Sequence, residues 1–195
     1  MKTSSYLQTV RKRASADYKG VADRLNAKNN RLALINHLKD AQSLLNGLDL
    51  WKKHLIYGAK APNTFLNCDA SEELPELNMT NEQVDLFHGL FGSLTEAGEI
   101  IKPALDLLLN KELDKQNIME ELGDQTWYTG LCILSLNTSF EEVFAFNNAK
   151  LDKRYPIGFT EENALVRDIA SEMIAATATL EAKPTKLEAN TTNIS

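Results

Sequence analysis

Apolar residues recur at intervals of three and four along most of this chain, and that period admits little besides α-helix. Leu34, Leu38, Ala41, Leu45, Leu48 and Leu55 mark one face of "NNRLALINHLKDAQSLLNGLDLWKKHLIYG". This predicts a long amphipathic helix, loosened by Gly47 and ended by Gly58. Leu86, Leu90, Leu94, Ala97, Ile101, Ala104 and Leu108 do the same for "TNEQVDLFHGLFGSLTEAGEIIKPALDLLLN". That helix opens with Thr80 and Gln83 in capping-box spacing, where each side chain satisfies the other residue's free backbone N–H. Asn117 with Glu120 offers a second such cap, for a helix through Leu136. Ser139 with Glu142 offers a third, for a helix that Pro156 must stop. A weaker pattern predicts a first helix near Ser4 to Arg24, and Thr160 caps a last one over "EENALVRDIASEMIAATATLEAK". Alternating apolar and polar runs, the mark of strands, are almost absent. The expectation is an all-α chain whose residues from about 80 to 155 form an antiparallel helical bundle.

The breaks in the pattern suggest an organisation. "AKAPNTFLNCDASEELPELNM" holds Pro62, Pro75 and an acidic run, and reads as a loop or linker, unusually long for a compact domain, part of which either orders against the core or serves as a lid. The expected division is an extra N-terminal helical arm with its linker (1–79), a helical bundle (80–182) and a polar tail (183–195). Of the 195 residues 43% are hydrophobic, which suffices for a globular core. The formal net charge of −6 argues against a nucleic-acid binder, whose affinity comes from clustered Lys and Arg on phosphates. No apolar run approaches the roughly 20 residues that span a bilayer. The polar, basic start lacks the apolar segment of a secretory signal. The expected location is cytoplasmic, with no membrane partner, and the sequons at Asn190 and Asn193 are then incidental. Cys68 and Cys132 are too few and too far apart for a disulfide framework or a zinc site.

Chemistry concentrates in two short stretches. In "LTEAGEII" Glu96 and Glu99 lie three apart and share a helix face, with Cβ atoms roughly 5–6 Å from each other. In "EELGD" Glu121 and Asp124 repeat that spacing on the following helix. If the helices pack antiparallel, four carboxylates converge among apolar neighbours, where unpaired negative charge is costly. A divalent cation resolves the conflict. An all-oxygen donor set without Cys or His suits a hard ion, Mg²⁺ or Mn²⁺. A single Glu-x-x-Glu is ordinarily a solvated face; two on consecutive apolar helices are not. Gly98 and Gly123 beside the acids suggest close helix approach or ligand access. A di-iron centre would want Glu-x-x-His, and none of His37, His54 and His88 follows a Glu by three.

Several residues carry two readings. Glu120 is either the capping partner of Asn117 or a base that takes a proton from water. Asn147, Lys150 and Arg154 share a face of "NNAKLDKRYP" and suit a phosphate chain, though a basic last turn also complements the helix dipole. Trp127 and Tyr128 either fill the interior or stack on a base, and His88 reads as structural.

Taken together, "GSLTEAGEI", "EELGDQTWY" and "NNAKLDKRYP" resemble the MazG-type all-α nucleoside triphosphate pyrophosphohydrolases, the short single-domain and phage-encoded members above all. "FTEENALVRD" resembles the segment that comes after the basic motif in such proteins. The likeness runs from about Val84 to Asp168, under half the chain, and its specificity lies in the order of the motifs. It implies cleavage of a nucleoside triphosphate between the α- and β-phosphates, giving a monophosphate and pyrophosphate. It implies Mg²⁺ on Glu96, Glu99, Glu121 and Asp124, phosphates on Lys150 and Arg154, and Asn147 and Tyr155 lining the site. It implies a homodimer or homotetramer, in the host cytoplasm if phage-encoded. A relative acting on dUTP, (p)ppGpp or phosphoribosyl-ATP is the neighbouring reading, and a non-catalytic helical interaction module with a vestigial site is the reading from another class. Two departures stand out. Pro103 should kink the first motif helix near Glu99 or end it early, and Asn117 stands where some members have a Lys.

Overall fold

A computed structural model describes residues 3–13, 18–62 and 76–181. Among them the chain is all-α: eight helices and no strand. These are α1 (Thr3–Arg13), α2 (Tyr18–Asn26), α3 (Lys28–Tyr57), α4 (Asn81–Leu108), α5 (Lys115–Ser135), α6 (Phe140–Arg154), α7 (Glu161–Leu165) and α8 (Ile169–Glu181). None of them is long and apolar enough to cross a membrane. The linker residues 63–75, with Cys68 and Pro75, and the tail from 182 onward lie outside the described residues.

Compactness divides the chain at other points than the sequence suggested. One unit spans Tyr18–Thr138, and the other joins Met1–Asp17 to Ser139–Ser195. The expected arm is therefore split. Its long helix α3 packs on α4, while α1 belongs with α6 and α8.

In the first of these units α3, α4 and α5 run antiparallel in turn. Leu45 meets Gly98, Lys52 meets Glu96 and Tyr57 meets His88, so numbers rise on α3 as they fall on α4. Gly89 meets Cys132, Gly92 meets Tyr128 and Ser93 meets Gln125, which gives the same relation between α4 and α5. The buried face of α4 differs from the one its leucines suggest. Leu90 and Leu94 are half exposed, and Gly89, Gly92, Thr95, Glu96 and Gly98 are enclosed. A Cβ at Gly92 would stand 2.1 Å from the Tyr128 ring, and one at Gly98 would stand 2.7 Å from Leu45 Cβ. Small residues win that face because they let the backbones close up, and hydrophobic periodicity does not register glycine. On α3 the enclosed residues are likewise Ile35 and Lys52, with Leu34 and Leu55 turned outward.

Helix ends follow local chemistry. Thr80 with Gln83 and Ser139 with Glu142 form complete capping boxes. Gly58 closes α3 at φ 68°, its N–H on the His54 carbonyl. The expected cap at Asn117 is overturned: Asp114 caps α5, accepting from the backbone N–H groups of Gln116 and Asn117. Asp114 is another favoured cap residue three positions earlier, and it adds most of a helical turn. α4 runs through Pro103 to Leu108 instead of ending early. The two long end helices are each divided. The predicted first helix falls into α1 and α2, on either side of residues 14–17. The last breaks after Leu165, where Val166 is extended and Asp168 Oδ1 accepts from the Ser171 N–H to open α8.

The other unit is held by side chains of different kinds. Tyr6 stacks on Phe144 with ring centroids 4.1 Å apart, and Arg13 pairs with Asp152 and donates to Asn148. α6 and α8 pack together, and Glu172 on α8 is enclosed between Arg154 and Arg167.

Candidate metal centre

The close approach of α4 and α5 brings carboxylates from both helices to one point. Ligand oxygens of Glu96, Glu121 and Asp124 all lie within 4.8 Å of one another. Glu96 and Glu121 are buried, at 7% and 5% exposure, and Asp124 is exposed. Glu99, one turn beyond Glu96, is exposed and stands outside this trio.

The electrostatics record the crowding. Burial pushes the Glu121 carboxyl above the usual carboxylate range; the charge of Glu99 adds to this, and those of Glu96 and Glu120 add further. One hydrogen bond opposes them: Asn117 Nδ2 donates to Glu121 Oε1 at 2.6 Å. Asn117 therefore touches one carboxylate of the trio directly. Glu120 is exposed and, with Asp114 as the cap, no longer has the capping role.

Glu96 has a partner that the motifs do not contain. Lys52 Nζ on α3 donates to Glu96 Oε1 at 2.9 Å and to Thr95 Oγ1 at 2.8 Å, and it pairs with Asp49 Oδ1 at 3.1 Å. The ammonium also sits 5.0 Å from the centre of the Tyr128 ring. Burial alone would lower its pKa; the bonds to Glu96 and Asp49 outweigh burial and hold it above the ordinary lysine value. Lys52 lay in view as the one charged residue in step with Leu45 and Leu48, at i+7 and i+4 on the apolar stripe.

One ammonium does not balance this set. Asp49 has Lys53 as a second partner at 2.5 Å, but neither Glu121 nor Asp124 has a cationic partner among the described residues. Three carboxylates from two helices, two of them buried, with only oxygen donors, fit a hard divalent cation.

The aromatic pair after Asp124 divides. Tyr128 is interior, its hydroxyl 3.3 Å from that of Tyr57, whereas Trp127 is 58% exposed and faces His88 edge-on. His88 Nε2 lies 3.1 Å from the Tyr57 hydroxyl, and burial and Lys52 depress its pKa. Gly98 meets α3, and a Cβ on Gly123 would meet nothing within 4 Å.

The residues expected to hold phosphate belong to the unit of α6. Arg154 is already engaged, its Nε and Nη2 donating to Glu172 at 2.9 and 2.6 Å. Its guanidinium also lies over the Tyr155 ring at 5.6 Å. Asn147 Nδ2 donates to the Tyr6 hydroxyl at 2.9 Å. Lys150 is half-buried and has no ion pair among the described residues. Sequence reasoning missed Glu172 and Arg167; the signal was an isolated Glu in the apolar "IASEMIAA".

Comparison with protein-family models, with curated proteins and with solved structures gave no match to this chain.

Proposed function

We propose that the chain is a divalent-cation-dependent hydrolase of phosphoanhydride bonds, with nucleoside triphosphates as the substrate class and a monophosphate and pyrophosphate as products. The supporting observation is the convergence of Glu96, Glu121 and Asp124 within 4.8 Å on antiparallel helices. The substrate class rests on the resemblance of the ordered motifs to MazG-type enzymes. Mg²⁺ is the ion of choice, with Mn²⁺ as a substitute; when bound it would supply charge neutralisation for the phosphates and a more acidic water.

The chain's own residues have defined tasks in this reading. Glu96, Glu121 and Asp124 hold the cation, with Glu99 adding negative charge beside them. Asn117 fixes one oxygen of Glu121, leaving the other free. In the reaction a water oxygen bonds to the α-phosphorus as the bond to the β-phosphate's bridging oxygen breaks. The electron pair leaves with pyrophosphate. Glu120, exposed and without the cap, is the assigned acceptor of the water's proton.

The test is direct. A panel of ribo- and deoxynucleoside triphosphates, dUTP and (p)ppGpp is incubated with the protein and Mg²⁺, and monophosphate and pyrophosphate are measured. The expected result is pyrophosphate release that chelator abolishes. Orthophosphate release instead, or no turnover with any substrate, overturns the proposal.

A further inference from the structure

Among the described residues Lys52 is the one cation that touches the trio, and it comes from a different helix. It is 4% exposed, and its ammonium is shared between Glu96 Oε1 at 2.9 Å and Asp49 Oδ1 at 3.1 Å. A buried ammonium on a ligand oxygen is a like charge set against any incoming cation. It is also a charge with somewhere else to go, because Asp49 lies one turn back on the same helix and is near enough to take the whole ion pair.

We propose that Lys52 is the resident counter-charge of the carboxylate cluster, and that a divalent cation competes with it for Glu96 while Asp49 receives the displaced ammonium. Lys52 touches neither substrate nor reacting atoms in this scheme. It is a positioning residue that acts through Glu96. Its presence explains how two buried glutamates and an aspartate fold side by side before a cation arrives, since without it Glu96 would be an uncompensated buried charge. It also sets the cation affinity below what the carboxylates alone would give. The inference rests on the reading of this cluster as a divalent-cation site.

Mn²⁺ titrated calorimetrically into the full chain, with no nucleotide present, tests both and separates them. The expected result is that Lys52→Met binds Mn²⁺ at least about tenfold more tightly than the unaltered protein. Asp49→Asn, which leaves Lys52 on Glu96, should bind it several-fold more weakly. In the Lys52→Met background Asp49→Asn should then have little effect. That coupling would be absent if Asp49 merely contributed to the general field. Mn²⁺ binding by the unaltered protein with equal or weaker binding by Lys52→Met overturns the inference and leaves the cation site standing. No binding by either protein removes the cation site itself. Should Lys52→Met fail to fold, Asp49→Asn carries the test, and unchanged affinity in it overturns the proposal.

Discussion

Two buried glutamates, one in each unit, have opposite environments. Glu172 is 2% exposed and accepts from both Arg154 and Arg167; Arg154 first, then Arg167, draw its pKa down to about 2. Glu121 is 5% exposed, has one neutral hydrogen-bond donor and lies among like charges, and its pKa is pushed up. The first is an ion pair completed by the chain itself. The second is a carboxylate without a cationic partner among the described residues. Carboxyl groups with strongly perturbed pKa values cluster at functional sites. The contrast also separates two ways of assembling charge. Arg154 and Arg167 are both drawn to Glu172, whereas Glu96, Glu121 and Asp124 repel one another and are held together by the packing of their helices and by Lys52 on Glu96.

The contrast breaks most sharply at Glu121. On the proposed reading, in which Glu121 is a cation ligand, Glu121→Gln should lower turnover in the nucleotide assay by at least about 10³-fold. In the absence of divalent cations the same variant should melt no lower than the parent, because the lost charge was opposed by its neighbours. A clear fall in melting temperature would place Glu121 in the same class as Glu172. Glu172→Gln should do the reverse in stability, with a fall on the order of 10 °C, since two arginines lose their shared counter-charge. The pH dependence has the same origin. The folded pKa of Glu172 is depressed, so its contribution is complete above the ordinary glutamate pKa of about 4.3 and is lost as pH falls toward about 2. Thermal unfolding followed across that window should show a slope in the parent that Glu172→Gln flattens. An equal slope in both would remove the ion-pair account.

The different legibility of the two centres comes from how each is encoded. Glu96, Glu121 and Asp124 announce themselves because a three-residue spacing on a helix is a local property, and helices are local structures. The capping boxes at Thr80 and Ser139 and the end at Gly58 were readable for the same reason. Lys52 was not connected to Glu96, because 44 residues separate them and only the packing of α3 on α4 brings them together. Glu172 was hidden likewise behind the break at Val166, where a periodic run concealed two helices. The packing face of α4 was misread because leucine counts measure apolar surface, while the close contacts at Gly89, Gly92 and Gly98 depend on the absence of a side chain. Asp114 took the cap from Asn117 because both residue types suit that position, and their order along the chain decides nothing without the tertiary fold.

If packing alone forces the carboxylates together, changing it should disturb them while leaving Glu172 untouched. Gly92→Ala places a methyl 2.1 Å from the Tyr128 ring, between α4 and α5. The expected cost is about 1–3 kcal/mol, with Mn²⁺ affinity weakened as Glu96 and Glu121 move apart. The low-pH slope assigned to Glu172 should persist. Gly123 provides the smallest and most discriminating contrast. It lies between Glu121 and Asp124 on the same helix, and an added Cβ meets nothing within 4 Å of this chain. On helix propensity alone, Gly123→Ala should stabilise the protein by up to about 1 kcal/mol in chemical denaturation. If that gain appears and turnover is unchanged, Gly92 is needed for packing and Gly123 for nothing measured. If the gain appears and turnover falls, the space beside Gly123 belongs to the bound nucleotide or to its route into the site. Gly123 would then be retained at a cost in helix stability for the same reason that Glu121 is left without a counter-charge.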